Sequence, residues 1–202
     1  MDTNETAFYN VLSEMASLFD LEGTDEAKQT STALRSAIGN GTPALATPYI
    51  LDDMIQDGLR SAVHPSAIAV RRAHQVLHWA ATSILDDYAP SSVSRHFTAV
   101  SIMGPGQFVE HGSLRAGLYM QTPNSYYPLH NHEAVETYVI LQGQVEWTAG
   151  DVTETYGPGK IVHHTAYMPH AFQTFDSPFL AFWRWGGNIA VDTYSMLDDP
   201  KA

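Results

Sequence analysis

The spacing of apolar residues changes near residue 95, and this change limits the folds that the chain can adopt. After Ser94, apolar and polar residues alternate in short runs that are separated by turn signals such as Pro123-Asn124 and Gly186-Gly187. Several short strands at regular spacing are typical of an all-β barrel or sandwich. The predicted strands cover residues 96–102, 114–121, 136–141, 144–149, 160–164, 171–175 and 179–185.

The first 95 residues follow a helical period instead. Apolar residues recur three and four positions apart between Phe8 and Phe19, which is the pattern of a helix with one buried face. The chain is therefore divided into an α-helical N-terminal region, residues 1–95, and a β domain, residues 96–202. Helices are predicted over about residues 8–19, 24–38, 50–59 and 65–87.

The chain is acidic, with 22 Asp and Glu residues against 10 Lys and Arg residues and a net charge of −12. Most of such a surface repels phosphate backbones and anionic membranes, so no nucleic-acid partner and no membrane association are expected. No apolar run reaches the ~18 residues that a membrane helix needs. The first residues lack the basic start of a signal peptide. We therefore expect a cytoplasmic protein.

Cysteine is absent, which excludes disulfides and thiolate metal sites and leaves His, Asp, Glu and Tyr as ligands. His130 and His132 lie two residues apart, and Glu136 and Tyr138 share their even-numbered parity. If the backbone stays extended, all four side chains point to one face. Together with His170, they offer nitrogen and oxygen donors for one divalent transition metal ion, whether zinc, iron, manganese, cobalt or nickel.

These residues resemble the first metal-binding motif of the cupin family. That motif, Gly-x5-His-x-His-x3,4-Glu-x6-Gly, is matched by His130, His132, Glu136 and Gly143, with Asn124 at the leading glycine. The second motif, Gly-x5-Pro-x-Gly-x2-His-x3-Asn, is matched at Gly159 and His170, with Thr165, Tyr167 and Thr174 at its other positions. The resemblance covers about residues 96–190. It implies a double-stranded β-helix, a jelly-roll barrel that holds its metal near the axis.

A narrower resemblance rests on the run Tyr127-Pro128-Leu129-His130-x-His132-x3-Glu136-x-Tyr138, with Glu146-Trp147 and the helical N-terminal region. In these features the chain is similar to the cupin dimethylsulfoniopropionate lyases, most of all to the DddQ type. The resemblance implies cleavage of this sulfonium zwitterion to dimethyl sulfide and acrylate. The metal ligands that it implies are His132, Glu136, His170 and Tyr138, with His130 a ligand in other members and a pocket residue in this type. Tyr127, Tyr138 and Trp185 match further site residues of the family.

The chemistry that the resemblance implies is consistent with these side chains. β-Elimination removes the proton beside the substrate carboxylate, and a metal bound to that carboxylate stabilises the charge that develops. A free phenol is mostly protonated at neutral pH, but a metal contact stabilises the phenolate, so Tyr138 is the expected base. Tyr127 is the rival base or a donor to the carboxylate. Aromatic faces attract a sulfonium group, which suits the aromatic residues of the β domain.

Two other interpretations stay open at this point. The chain could be a different metal-dependent cupin enzyme, such as a dioxygenase or an isomerase, or a cupin that binds a ligand without catalysis. The helical region is expected to pack on the barrel, to cover a sheet edge or to form a homodimer contact. His163 and His164 either support the site or lie on the surface. His74 and His78 are assigned to packing or to the surface.

Overall fold

The computed structural model describes residues 3–80 and 91–201, and the N-terminal half of this region is helical. The helices are α1 (Thr3–Asp20), α2 (Asp25–Ser36), α3 (Asp52–Arg60) and α4 (Pro65–Arg72), followed by a single turn at Ser91–Ser94. Helix α1 packs against α2 and α4. The hydroxyl of Thr24 caps α2 by accepting a hydrogen bond from the Ala27 amide at 3.2 Å, so α2 begins where the sequence predicts.

The remaining described residues form 11 strands in two sheets. The strands are β1 (Phe97–Gly104), β2 (Val109–Glu110), β3 (Arg115–Gln121), β4 (Tyr126–Asn131), β5 (Val135–Gln142), β6 (Val145–Ala149), β7 (Val152–Tyr156), β8 (Ile161–His164), β9 (His170–Thr174), β10 (Phe179–Gly186) and β11 (Ser195–Met196). One sheet has the order β2-β1-β3-β10-β5-β8, and the other has the order β11-β4-β9-β6-β7. The chain crosses repeatedly between the sheets, and the fold is the predicted cupin jelly-roll with an α-helical N-terminal extension.

Two apolar cores lie on opposite faces of the six-stranded sheet. The outer core joins α1, α3 and α4 to the sheet and includes Leu12, Phe19 and Phe182. The inner core lies between the two sheets and is rich in aromatic side chains, among them Tyr119 and Phe172. Because successive strand residues point to opposite faces, β1, β3, β5 and β10 each contribute side chains to both cores. The helices cover one face and leave the other to form the inside of the barrel.

A buried ion pair also joins the helical region to the barrel. The guanidinium of Arg184, on β10, donates through Nε to Oε2 of Glu22 at 2.7 Å and through Nη2 to Oε1 of the same residue. Burial by itself would raise the pKa of Glu22, but the hydrogen bond and positive charge of Arg184 outweigh it and lower that pKa below its usual value. Arg184 is fully buried, so Glu22 is the group that balances its charge.

The seven predicted strands are confirmed to within two residues at each end. The pattern missed four strands. Strands β2 and β11 contain two residues each, which is too short for a periodic signal. Strand β7 is polar and almost wholly exposed, because it lies at the edge of its sheet. Strand β4 contains Pro128 and His130, the first residue of the metal motif that the chain matches, so its alternation is not one of apolar and polar residues.

The predicted helix over residues 65–87 is wrong between Arg72 and Ala80. Helix α4 ends at Arg72, a 3-10 turn follows at His74–Val76, and Ala80 then pairs with Ala99 of β1 as an isolated β-bridge. Val76, Leu77 and Trp79 are thus buried in the outer core without forming an α-helix, although their spacing also suits one. Residues 81–87 lie outside the described part of the chain. The domain boundary at residue 95 stays a prediction.

No helix in the described ranges is both long enough and apolar enough to cross a membrane.

Candidate metal centre and active site

One row of inward-facing side chains crosses four neighbouring strands of the six-stranded sheet. Trp185 on β10 lies opposite Arg115 on β3 and opposite Glu136 on β5, and Glu136 lies opposite His164 on β8. Residues that face each other in paired strands point to the same side of a sheet. The register therefore places the carboxylate of Glu136 between an indole and an imidazole, with a guanidinium at the end of the row.

The facing sheet supplies further histidines. His130 on β4 lies directly opposite His170 at the start of β9, and their ring centroids are 4.0 Å apart. His132 follows β4 in a short turn before β5 begins at Val135. The backbone is therefore not extended from residue 130 to residue 138, which was the condition for a shared face. The turn carries the chain from one sheet to the other, and the side chains still line one cavity because they approach it from both sides.

Three of the predicted metal ligands come together. One ligand atom from each of His132, Glu136 and His170 lies within 4.8 Å of the other two, and all three side chains are buried. The two histidines place Nε2 at 3.4 Å and 3.3 Å from Oε2 of Glu136. This arrangement brings two nitrogen donors and one carboxylate oxygen to a common point, as the motif predicted.

Hydrogen bonds to the backbone determine which nitrogen of each histidine faces that point. Nδ1 of His132 lies 3.0 Å from the carbonyl oxygen of Ala134, and Nδ1 of His170 lies 2.8 Å from that of Met168. A carbonyl oxygen only accepts, so each Nδ1 carries a proton, and in the neutral ring each Nε2 presents a lone pair. Among the described residues, Nε2 of His170 is buried without a hydrogen-bond partner. Two lone pairs directed at a carboxylate oxygen repel it, and a bound divalent cation removes the repulsion, so these residues fit a metal ion.

Glu136 is held by hydrogen bonds at both oxygens. The indole N–H of Trp185 donates to Oε1 at 2.6 Å, and Nδ1 of His164 donates to Oε2 at 3.2 Å. Burial opposes ionisation of this carboxyl, but the neighbouring histidines outweigh it, with His132 contributing most and His164 adding its hydrogen bond. The pKa of Glu136 is therefore held well below its usual value. The carboxylate is ionised and oriented as a ligand requires.

His164 belongs to the site. The sequence alone had left open whether it supports the site or lies on the surface. Its Nε2 accepts a hydrogen bond from the indole N–H of Trp147 at 2.9 Å. Its Nδ1 therefore carries the proton and donates the hydrogen bond to Glu136. Its ring stacks on that of His170 with centroids 4.0 Å apart. Burial lowers the pKa of His164 to about 4, which keeps the ring neutral at neutral pH. The neighbouring His163 points the other way and bonds Thr137 on the outer face.

His130 is buried beside this group but is not one of its three members. Its Nδ1 bonds the carbonyl oxygen of Pro128 at 2.7 Å, and its ring stacks on Tyr127 with centroids 4.1 Å apart. The pKa of His130 is held well below its usual value, mainly by burial and secondly by the nearby His170. A neutral imidazole in this position suits either a pocket residue or a further ligand.

Four buried tyrosines, Tyr119, Tyr127, Tyr138 and Tyr194, surround the same space. Tyr138 lies two residues beyond Glu136 on β5, and burial followed by the charge of Glu136 raises its pKa well above the usual value. The pKa of Tyr127 is also raised well above its usual value, mainly by burial and secondly by the nearby Tyr194. The hydroxyl oxygens of Tyr127 and Tyr194 lie 2.6 Å apart. Tyr194 was not predicted, because it stands alone near the end of the sequence and matches no motif.

These side chains open into a cavity of about 360 Å³. Glu136 is the only acidic residue in its lining among the described residues, and Arg115 is the only lysine or arginine. The aromatic side chains in the lining are Tyr119, Tyr127, Tyr138, Trp183, Trp185 and Tyr194. The cavity therefore combines an anionic ligand cluster, hydroxyl donors and π-faces, which suits a small molecule that carries both a cation and a carboxylate.

The helical histidines do not form a site of their own. His74 places Nε2 3.6 Å from Oδ1 of Asp52, and His78 lies 3.2 Å from the carbonyl oxygen of Ala44. The two rings therefore have separate partners, as their assignment to packing or surface expects. His78 also borders the cavity.

Comparison with known proteins gives a consistent result. A family model described as dimethylsulfoniopropionate lyase matches residues 27–181. The chain is 29% identical to the dimethylsulfoniopropionate lyase DddQ of Ruegeria pomeroyi over 204 residues, which cover 100% of this chain and 98% of that protein. It is 26% identical over 133 residues to a putative dimethylsulfoniopropionate lyase DddL of Cereibacter sphaeroides, covering 65% and 55% of the two chains.

Solved structures agree with these sequence matches. The crystal structure of the lyase DddQ from Ruegeria pomeroyi superposes with a TM-score of 0.66 at 27% identity, covering 91% of this chain and 93% of that one. A crystal structure from a study of the lyases RdDddP and RnDddQII superposes with a TM-score of 0.63 at 22% identity, covering 77% and 81%, and supports the fold alone.

Proposed function

The chain belongs to the dimethylsulfoniopropionate lyase family and is a carbon–sulfur lyase, and from this premise we propose a metal-dependent β-elimination with a tyrosine base. The substrate would be dimethylsulfoniopropionate and the products dimethyl sulfide and acrylate. One observation carries the proposal: the phenol of Tyr138 lines the same cavity as His132 and Glu136, and these two side chains form a possible metal-binding group with His170.

The ligand group is supported by its donor set and by its unpaired nitrogen. His132, Glu136 and His170 would hold one divalent cation, with Tyr138 or His130 to complete the set. When bound, such a cation supplies positive charge that lowers the pKa of a neighbouring phenol and Lewis acidity that stabilises charge on a substrate carboxylate. Trp185 and His164 keep Glu136 oriented through their hydrogen bonds.

Tyr138 is the proposed base. In the elimination the phenolate oxygen of Tyr138 takes the proton from the carbon beside the carboxylate. The electron pair of that C–H bond forms the C=C bond of acrylate, and the C–S bond breaks with its pair leaving on dimethyl sulfide. Burial and Glu136 raise the pKa of Tyr138, so this tyrosine stays protonated unless positive charge lies beside it. This dependence explains why the base would stand next to the ligand group.

The sulfonium end would be held by aromatic faces. Trp183 and Trp185 line the cavity together with Tyr119, and their ring faces attract a cation without a paired anion. Trp185 thus has two proposed roles, one toward Glu136 through its N–H and one toward the substrate through its ring.

The deciding experiment is headspace detection of dimethyl sulfide from the purified full chain with dimethylsulfoniopropionate. Release that stops with a chelator and returns with an added metal, with one acrylate per sulfide, would support the proposal and identify the usable metals. Folded, metal-loaded protein that releases no sulfide with any metal would contradict it. Turnover that consumes oxygen instead would indicate another kind of cupin enzyme.

The proposed base is tested by Tyr138→Phe, with Tyr156→Phe on the exposed edge strand as its control. The first substitution should reduce kcat by ~100-fold or more, because general-base catalysis contributes about 10²–10⁴-fold. The control should keep the wild-type rate. Near-normal turnover in Tyr138→Phe would transfer the role of base to Tyr127.

A further inference from the structure

Residues 188–199, here called the C-terminal segment, lie against the metal-ligand end of the barrel. Arg115 donates through Nε to the carbonyl oxygen of Ile189 at 3.2 Å, and β11 pairs with β4 at Asn131 and His130. At its far end, Oδ2 of Asp199 accepts from the hydroxyl of Tyr126 and from the amide of Leu129, each at 2.7 Å. The segment is therefore attached at both ends.

This segment places Tyr194 inside the cavity. The side chain of Tyr194 is 4% exposed, and its ring lies 5.2 Å from that of His130 and 6.2 Å from that of His132, both in stacked orientation. The family model matches residues 27–181, so Tyr194 lies outside the matched residues. Its position against the ligand histidines therefore raises the question of what its hydroxyl does.

Two contacts of the Tyr194 hydroxyl within the described part of the chain bear on its role. It lies 2.6 Å from the hydroxyl of Tyr127 and 3.6 Å from Sδ of Met196. Each phenol has one proton to donate, and a thioether can only accept. The arrangement that uses both contacts has Tyr127 donating to Tyr194 and Tyr194 donating to Met196. A hydrogen bond that a hydroxyl accepts strengthens the one that it donates.

The contact with Met196 is one that a carboxylate can displace. A thioether sulfur is a weak acceptor, whereas hydrogen bonds to an ionised carboxylate are about twice as strong as neutral ones. The cavity that Tyr194 lines is the one into which the ligand group opens, so a carboxylate bound there comes within reach of the phenol by rotation of its O–H bond.

We propose that Tyr194 is a substrate-contacting residue that donates its hydroxyl proton in a hydrogen bond to the substrate carboxylate, with Tyr127 polarising it from behind. The inference rests on the proposed function, because it assumes that the ligand is a sulfonium carboxylate. It assigns to the C-terminal segment a role in recognising the anionic end of the substrate. No covalent step is involved, since the proton stays on the phenol.

The test compares Tyr194→Phe with the wild-type full chain, each loaded with the same metal. Removing one hydrogen bond to a charged group should raise KM for dimethylsulfoniopropionate by about 10-fold or more. The value of kcat should change by less than about threefold, because the contact is made in the ground state and in the transition state alike. Metal content and far-UV circular dichroism should be unchanged.

A binding measurement separates this inference from the proposed function. The fluorescence of Trp183 and Trp185, which line the cavity, reports binding without turnover. Propionate should bind about 10-fold more weakly to Tyr194→Phe, whereas trimethylsulfonium, which has no carboxylate, should bind equally to both proteins. If wild-type protein releases no dimethyl sulfide but this propionate difference is found, the lyase proposal fails and the carboxylate contact stands. If the lyase is active and Tyr194→Phe behaves as wild type, the inference about Tyr194 fails.

Two further variants test a merely structural role. Tyr126→Phe removes a hydroxyl that anchors the same segment outside the cavity, and its KM should stay within about twofold of wild type because the cavity donor is intact. An equal loss in both variants would mean that Tyr194 acts only by holding the segment. Met196→Leu removes the resting acceptor and keeps the phenol, so its KM should be unchanged or lower. A rise in KM in Met196→Leu would contradict the proposed exchange of acceptors, even if Tyr194→Phe failed to fold.

Discussion

Trp185 donates its indole N–H to Oε1 of Glu136 across 2.6 Å, from the strand directly beside the one that carries Glu136. The sequence resemblance placed Trp185 among the pocket aromatics only. The structure adds that it orients a metal-ligand candidate, and that His164 does the same at the other carboxylate oxygen. Hydrogen-bonded partners of this kind determine how well a carboxylate binds a metal.

Replacing Trp185 by Phe should weaken metal binding by about 10- to 100-fold, because the ring remains but the hydrogen bond to Glu136 is lost. The measurement is a competition titration of the metal against a chelator of known affinity. Trp183→Phe is the matched control, since that indole N–H donates to the carbonyl oxygen of Leu118 and not to Glu136. Equal metal affinities in the two variants would show that the Trp185 bond does not hold the ligand.

The metal-free protein should lose stability as the pH falls from about 6.5 to about 4. Burial lowers the pKa of His164 to about 4 in the folded state, so unfolding lets this ring take up a proton throughout that window. The unfolded state then binds more protons, and the free energy of unfolding falls by at most ~1.4 kcal/mol per pH unit for one such group. His130, whose pKa is also lowered by burial, adds to the slope in the same direction.

Urea unfolding of chelator-treated protein at several pH values measures this slope, because bound metal would add a pH dependence of its own. His164→Gln should reduce the slope between pH 6.5 and 4. His111→Asn, at a loop position outside the core, should leave it as in wild type. A slope that His164→Gln does not alter would mean that His164 is not a source of the pH dependence.

Glu22→Gln should destabilise the protein by about 3–5 kcal/mol, because it leaves the charge of Arg184 buried without its counter-ion. Denaturant unfolding gives the value, and the double variant Glu22→Gln with Arg184→Met should be less destabilised than Glu22→Gln alone. Asp57→Asn serves as the control, since Asp57 and Arg60 form an exposed pair of the kind that contributes only ~0–1 kcal/mol. A loss in Glu22→Gln no larger than in this control would contradict the assigned role of the buried pair.

Gly117→Ala should lower the free energy of unfolding by ~3 kcal/mol or more, which is the upper end of the usual cost of overpacking. A Cβ at this position in β3 would lie 1.8 Å from the carbonyl oxygen of Val100 and 3.2 Å from Nε1 of Trp183, so β1 and β3 would have to separate. Gly112→Ala, which meets nothing within 4 Å, is the matched control. Thermal unfolding of the two variants gives the comparison, and similar melting temperatures would show that the strands accommodate a methyl group at Gly117.

Several features could be predicted from local sequence because local spacing determines them. The alternation after residue 95 indicated the strands, and the motif identified His132, Glu136 and His170 as ligand candidates that the structure brings together. Tyr138 shares the face of Glu136 because side chains on a strand alternate. The segment after Arg72 shows the limit of this approach. Its apolar spacing suits a helix, yet up to Ala80, which pairs with Ala99, it forms no α-helix.

Sequence by itself therefore determined the fold class, the ligand motif and which strand residues share a face. Only the tertiary structure decided which strands lie opposite one another, and this choice assigned the remaining site residues. Of the adjacent pair His163 and His164, alternation requires that one points inward, but the pairing of β5 with β8 selects His164. Tyr194 reaches Tyr127 from 67 residues away because the C-terminal segment returns to pair with β4. Such contacts depend on the packing of distant segments, for which a single sequence carries no periodic signal.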